Sequence, residues 1–198
     1  MKWIAASGLA LFFFIQPAAS GSFEDGAAAA LRGDYATTMQ FWQPLAESGD
    51  AAAQHGLGLI YSNGYGVPQD DLEAMRWFRL AAEQNYMFAQ YDLGAMYDKG
   101  RGVPQDFEEA IRWYRLAAKQ GDARAWYNLG DMYANGQGIQ QDYAEAVRWF
   151  KLGVEKGMAL AQNHLGAMYA LGNGVTKDVV QAYMWYEVAS SSRDAATR

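Results

Sequence analysis

The sequence predicts an all-α fold, a solenoid of antiparallel helix pairs, on three observations. A residue skeleton recurs every 36 positions. Gly58, Gly94, Gly130 and Gly166 hold one register, Tyr61, Tyr97, Tyr133 and Tyr169 the next, and Trp77, Trp113, Trp149 and Trp185 the last. Self-similarity at that period marks stacked two-helix units, because a single pair cannot bury its apolar face alone. Each unit also holds two segments of helical periodicity. In the third, Ala125, Leu129, Met132 and Tyr133 share one face, and Ala146, Trp149, Phe150 and Gly153 share another; that spacing is helical. Finally, a G-x-G loop parts the two segments of every unit, beginning at Gly64, Gly100, Gly136 and Gly172. A glycine after the last periodic residue suits a left-handed helix C-cap. Asp70, Asp106, Asp142 and Asp178 then stand where an N-cap belongs, able to accept the orphan amides of the second helix.

The elements follow in order. Residues 1–20 are of a different kind. Lys2 is their only charge, Leu9 to Ile15 is an apolar run, and Ala18-Ala19-Ser20 supplies small residues ahead of a cut after Ser20. This is the pattern of a secretory signal peptide, and it places the mature chain in the periplasm or outside the cell. With no cysteine at the cut, a lipid anchor is not expected, and no later run reaches the ~18 apolar residues of a membrane span. Residues 21–50 read as a worn half-unit that caps the stack. Gly33-Asp34 forms its turn and N-cap, Phe41 and Trp42 take the aromatic registers, and Pro44 is expected to bend the helix it interrupts. Residues 51–85, 86–121, 122–157 and 158–193 are the four repeats, with Asn85 in place of the stop glycine of the first. Residues 194–198 are a polar tail that frays.

The glycines inside the first helices carry a cost of about 1 kcal/mol each against alanine. Their recurrence predicts a close contact with a ring of the partner helix, and the tryptophan is the expected ring. Burying such a ring is worth about 4–6 kcal/mol gross and outweighs the glycine penalty. The composition supports a single helical domain of this kind: 198 residues, 51% hydrophobic, with 7 Trp and 13 Tyr to build the core.

The skeleton resembles the Sel-1-like repeat, a relative of the tetratricopeptide repeat. The first unit shows it as Ala53, Leu57, Gly58, Tyr61, Gly64, Gly66, Val67, Asp70, Ala74, Trp77, Phe78, Ala81 and Ala82, and residues 51–190 carry it in four copies. Gly153 and Val154 replace the small Ala-Ala pair in the third unit, and Ser190 its second alanine in the fourth. The resemblance implies a right-handed α-α superhelix whose first helices line a concave groove. It also implies roles as adaptors in envelope assembly, signalling or host contact.

Several chemistries are excluded or disfavoured. The chain is acidic, at −6 overall and −7 once Lys2 is removed, which opposes nucleic-acid binding, where phosphates must be neutralised. With no cysteine there is no disulfide or thiolate chemistry. The G-x-G loops lack the preceding strand, third glycine or G-K-[ST] ending of a nucleotide loop. Asp98 to Glu109 has the length of a calcium loop but the wrong internal ligands. His55 and His164 stand in different registers with no paired histidine, so no metal site is expected, and His164 reads as a helix-surface residue. Some Sel-1-like proteins are described as penicillin-binding or β-lactamase-like. This chain lacks both their cysteines and the S-x-x-K nucleophile motif. No cofactor is implied.

What remains is a surface. Aligned on the L-G-x2-Y motif, the resemblance places His55, Phe88, Tyr91, Arg124, Tyr127 and Asp131 towards the groove, beside Asp98 and Lys99. Tyr91 and Tyr127 share one register of adjacent units, and tyrosine is enriched in binding hot spots. They either meet a ligand or pack between units. The reading is therefore a non-enzymatic, exported scaffold that binds a protein or peptide in its groove. The alternatives are a hydrolase acting on β-lactam or cell-wall substrates and a glycan-binding protein. No further capping helix follows the fourth repeat, which leaves the last helix open for self-association.

Overall fold

The computed structural model describes residues 22–196, with side chains as far as Ser191. The expected leader, Met1 to Ser20, lies outside the described residues, as do Thr197 and Arg198. Ten helices follow one another: α1 (Phe23–Leu31), α2 (Tyr35–Glu47), α3 (Ala51–Asn63), α4 (Asp71–Glu83), α5 (Met87–Lys99), α6 (Phe107–Lys119), α7 (Ala123–Asn135), α8 (Tyr143–Glu155), α9 (Ala159–Leu171) and α10 (Val179–Ala196). Each packs chiefly on its neighbours in the chain, as a right-handed superhelix of antiparallel pairs requires. The backbone of α10 is helical to Ala196, beyond Arg193, where the fourth repeat is expected to end. The α2 helix is unbroken across Pro44 as far as Glu47.

The caps form as their residues dictate. Gly64, Gly100, Gly136 and Gly172 end the first helices in the left-handed conformation. Asp70, Asp106 and Asp142 each accept the amide three residues on. A backbone bond from Asp70 N to Tyr61 O closes the loop between them, and Asp106–Tyr97, Asp142–Tyr133 and Asp178–Tyr169 repeat it. This ties the aspartate register to the tyrosine register. The second glycine of each G-x-G lies against the start of the preceding unit's second helix. At Gly102, with φ 72°, a Cβ would stand 2.7 Å from the Asp71 carbonyl oxygen. The motif is both a turn and an inter-unit contact.

The ring that meets the helical glycine is not the tryptophan. Gly58 faces Phe78, Gly94 faces Tyr114, Gly130 faces Phe150 and Gly166 faces Tyr186, each the residue after the tryptophan. One residue further along a helix turns the side chain by about 100°. The ring at that position closes on its own unit, and the tryptophan points to the unit before. Trp113 accordingly packs among Ala74, Met75, Phe78 and Leu93, and Trp77 among Trp42, Ala46 and Leu57. On the outer side Arg76 lies 4.3 Å over Trp77 and Arg112 lies 4.8 Å over Trp113. In the cap, Trp42 does both jobs, lying against Gly26 on one side and Gly56 on the other. The departure at Gly153 is local: a Cβ there would come within 2.8 Å of the Ala161 methyl.

Candidate functional site

The first helices α3, α5, α7 and α9 carry polar side chains that meet across the unit boundaries at one constant offset. His55 Nε2 lies 2.7 Å from Asp92 Oδ2, Asn128 stands against the Tyr91 hydroxyl, and the Tyr127 hydroxyl lies 3.3 Å from His164 Nε2. In each pair the second residue is 37 positions on. The offset is one repeat plus one residue, because the fifth position of one first helix faces the sixth of the next. A rail of matched pairs therefore runs along the row of first helices.

Four of the expected site residues form one connected cluster. The His55 ring lies 5.6 Å from Phe78, 5.4 Å from Tyr86 and 6.1 Å from Phe88. The Arg124 guanidinium is 5.7 Å from the Phe88 ring and 4.0 Å from the Tyr91 ring. Asp122, at the start of α7 and almost fully buried, takes two of its N–H groups, from Nε and Nη2. Burial opposes the charge on Arg124, but the bond and charge of Asp122 together with Asp92 and Tyr91 outweigh it, and the net direction is upward. The guanidinium is a fixed cation at every ordinary pH. Phe88 remains 43% exposed and is the open apolar face of the cluster.

Tyr127 and Asp131 stand one unit further along. Tyr127 packs edge-on against His164, with ring centroids 5.2 Å apart, and tilted on Phe150. Burial raises the pKa of its phenol, with Asp131 adding to the rise. Burial likewise raises the pKa of Tyr91, against the opposing effect of Arg124. Both tyrosines thus pack between units while lining the first-helix row. Asp98 receives the Tyr114 hydroxyl at 3.4 Å; burial raises its carboxyl pKa, the Tyr114 bond and Lys99 oppose the rise, and Asp131 adds to it.

His164 is a correction: it is a half-buried partner of Tyr127 rather than a plain surface residue. Asp92, Asp122 and Tyr86 belong to the cluster and were not singled out from the sequence. The signal that would have found Asp92 is the 37-residue offset from a groove-facing His or Tyr. The skeleton repeats at 36, so an alignment by repeat never puts the two in one column.

A second rail runs along the buried side of the same helices. Gln54 and Gln90 donate to the carbonyls of Ala46 and Ala82, eight residues before each, and Trp126 does the same to Ala118. Gln84 and Gln120 then reach back to the Gln54 and Gln90 oxygens at 2.7 and 2.8 Å. Among the described residues there is no group of three or more His, Asp or Glu arranged to hold a metal, and no helix is long and apolar enough to cross a membrane.

The family model described as Sel1 repeat matches residues 51–86, 88–122, 123–158 and 159–194. A Sel1 repeat protein of Oxalobacter formigenes superimposes with a TM-score of 0.83 at 36% identity, over 88% of this chain and 71% of that one. The c5321 protein of uropathogenic Escherichia coli, described as a protective antigen with an SLR fold, gives 0.80 at 34% identity. There the match covers 85% of this chain but 37% of the other. The cysteine-rich protein B of Helicobacter pylori shares the fold at 22% identity with a TM-score of 0.50, over 65% of this chain and 94% of that one. No curated protein matches the sequence.

Proposed function

This chain belongs to the Sel1 repeat family, and from that premise we propose that it is a non-enzymatic scaffold, exported to the cell envelope, that holds a protein or peptide partner in its concave groove. One observation carries the reading. The residues of the first-helix row differ from unit to unit where the skeleton does not, yet they are held in place by inter-unit bonds. His55, Phe88, Tyr91 and Arg124 form a cluster whose rotamers are set before any partner arrives, which lowers the ordering cost of binding. The leader pattern of residues 1–20 supports export.

The hydrolase alternative finds no hydroxyl nucleophile beside His55 among the described residues. His55 Nε2 is engaged by Asp92 and its ring is flanked by Phe78, Tyr86 and Phe88. No serine or threonine hydroxyl bonds to it among the described residues. A glycan reading needs open aromatic faces; Arg124 already lies over Tyr91, which leaves Phe88 as the open ring of the cluster.

The test is a double substitution, Tyr91→Ala with Tyr127→Ala. Helical circular dichroism should be retained, and capture of the partner by cross-linking in the native envelope should fall. Equal recovery of the same partner by both chains would remove the groove reading. Incubation with a chromogenic β-lactam should give no turnover; saturable turnover by the purified chain would restore the hydrolase.

Self-association belongs to the same reading. Tyr183 and Tyr186 of α10 are 65% and 41% exposed. Their counterparts one repeat earlier, Val147 and Phe150, are 4% and 0% exposed beneath α9. The end of the stack is thus a face of the kind that a further helix covers.

A further inference from the structure

The space between successive first helices is a series of equivalent clefts whose chemistry changes along the groove. The first, about 400 Å³, lies between α1 and α3 and is apolar, lined by Ala27, Ala30, Leu31, Leu59, Ile60 and Tyr65. The second, about 210 Å³, repeats it one unit on with Ser62, Asn63, Asp92, Ala95, Lys99 and Arg101. Beyond it, between α5 and α7, stand Asp98 and Asp131.

The charges in this groove do not balance. Arg101 is paired with Asp71 and Arg124 with Asp122, and Asp92 is taken up by the His55 ring. Asp98 and Asp131 enter no ion pair among the described residues, and neither does Lys99, which leaves two carboxylates facing one ammonium. The Tyr114 hydroxyl bonded to Asp98 is a long, neutral donor. Burial and the neighbouring Asp131 disfavour the charged form of Asp98, the Tyr114 bond and Lys99 oppose them, and the net direction is still upward, so a further cation placed between the two carboxylates relieves a cost that Lys99 meets only in part. Neighbouring first helices are about 10 Å apart. The apolar cleft and the acidic pair are two steps apart, about 20 Å, or about six extended residues.

We propose that the groove binds an extended basic peptide, with one apolar side chain in the cleft between α1 and α3 and a Lys or Arg about six residues away between Asp98 and Asp131. This rests on the groove reading given above and adds the chemistry of the partner.

The probe is a fluorescein-labelled heptapeptide, Phe-Gly-Ser-Gly-Ser-Gly-Arg, with its reversed sequence, titrated with the intact chain by fluorescence anisotropy. One of the two orders should bind. Exchanging Arg for Glu, or Phe for Ala, should weaken binding about tenfold, as should Asp98→Asn with Asp131→Asn, and added salt should weaken it further. Leu59→Ser should weaken the Phe-containing peptide alone. Thermal melting of each variant confirms that it is folded. Binding that ignores the Arg-to-Glu exchange, or that survives loss of both aspartates, overturns the inference. Absence of binding by both orders overturns it as well. If the tyrosine pair is still needed for partner capture in the envelope, the groove reading outlives that failure; if capture is also indifferent to the tyrosines, both fall.

Discussion

Gly94 opposes two terms of similar size. Alanine is the better helix former by about 1 kcal/mol, but a Cβ there would stand 2.8 Å from the Tyr114 ring and 3.3 Å from the Ala110 carbonyl. Tyr114 is fully buried and cannot yield, so overpacking of about 1–3 kcal/mol should win. Gly94→Ala should lower the melting temperature, and a rise would show that the ring moves aside. Asp98 gives a prediction of the opposite sign. Its carboxyl pKa is raised in the fold, so folding binds protons more tightly than the unfolded chain does. Stability attributable to this group is present below its unfolded pKa and is lost as pH climbs through the folded value. Asp98→Asn should therefore leave the chain at least as stable at neutral pH, with the difference shrinking in acid, as urea titrations at several pH values would show. A carboxylate that costs stability is the kind of residue the proposed peptide site would employ.

The helix pair shows how far the sequence could be read. Both helices of every repeat, their caps and the G-x-G turns follow from single residues whose backbone demands are local. The glycine contact was legible as a contact but not as to partner, since adjacent aromatic residues on one helix differ only in direction, and direction is fixed by the neighbouring unit. The candidate site was half legible for the same reason. His55, Tyr91, Arg124 and Tyr127 could be placed by register, whereas Asp92 and His164 acquire their roles only when two units are stacked with the offset of one residue. The inter-unit role of tryptophan leads to its own test. Trp113→Ala should cost about 3–5 kcal/mol, and because that ring packs on α4 and α5, hydrogen exchange should accelerate in the second and first repeats together. Acceleration confined to α6 would place the ring within its own unit.

At the scale of the whole molecule, stability is a sum over neighbours, and among the described residues α10 leaves Tyr183 and Tyr186 exposed. Tyr183→Lys with Tyr186→Lys should leave the melting temperature nearly unchanged if the face is idle. It should convert any concentration-dependent dimer to monomer in light scattering if copies meet there. A monomer at every concentration in the parent chain would end that idea. The paired residues along the first-helix row have a last consequence. His meets Asp, Tyr meets Asn, and Tyr meets His, each pair used once. Cutting out residues 87–122 would leave the period intact yet set His55 opposite Asn128, exchanging a carboxylate partner for an amide. The modules share a backbone and not an address: each carries a key for the neighbour it was born beside, and shuffling them would break the stack's order before it broke its shape.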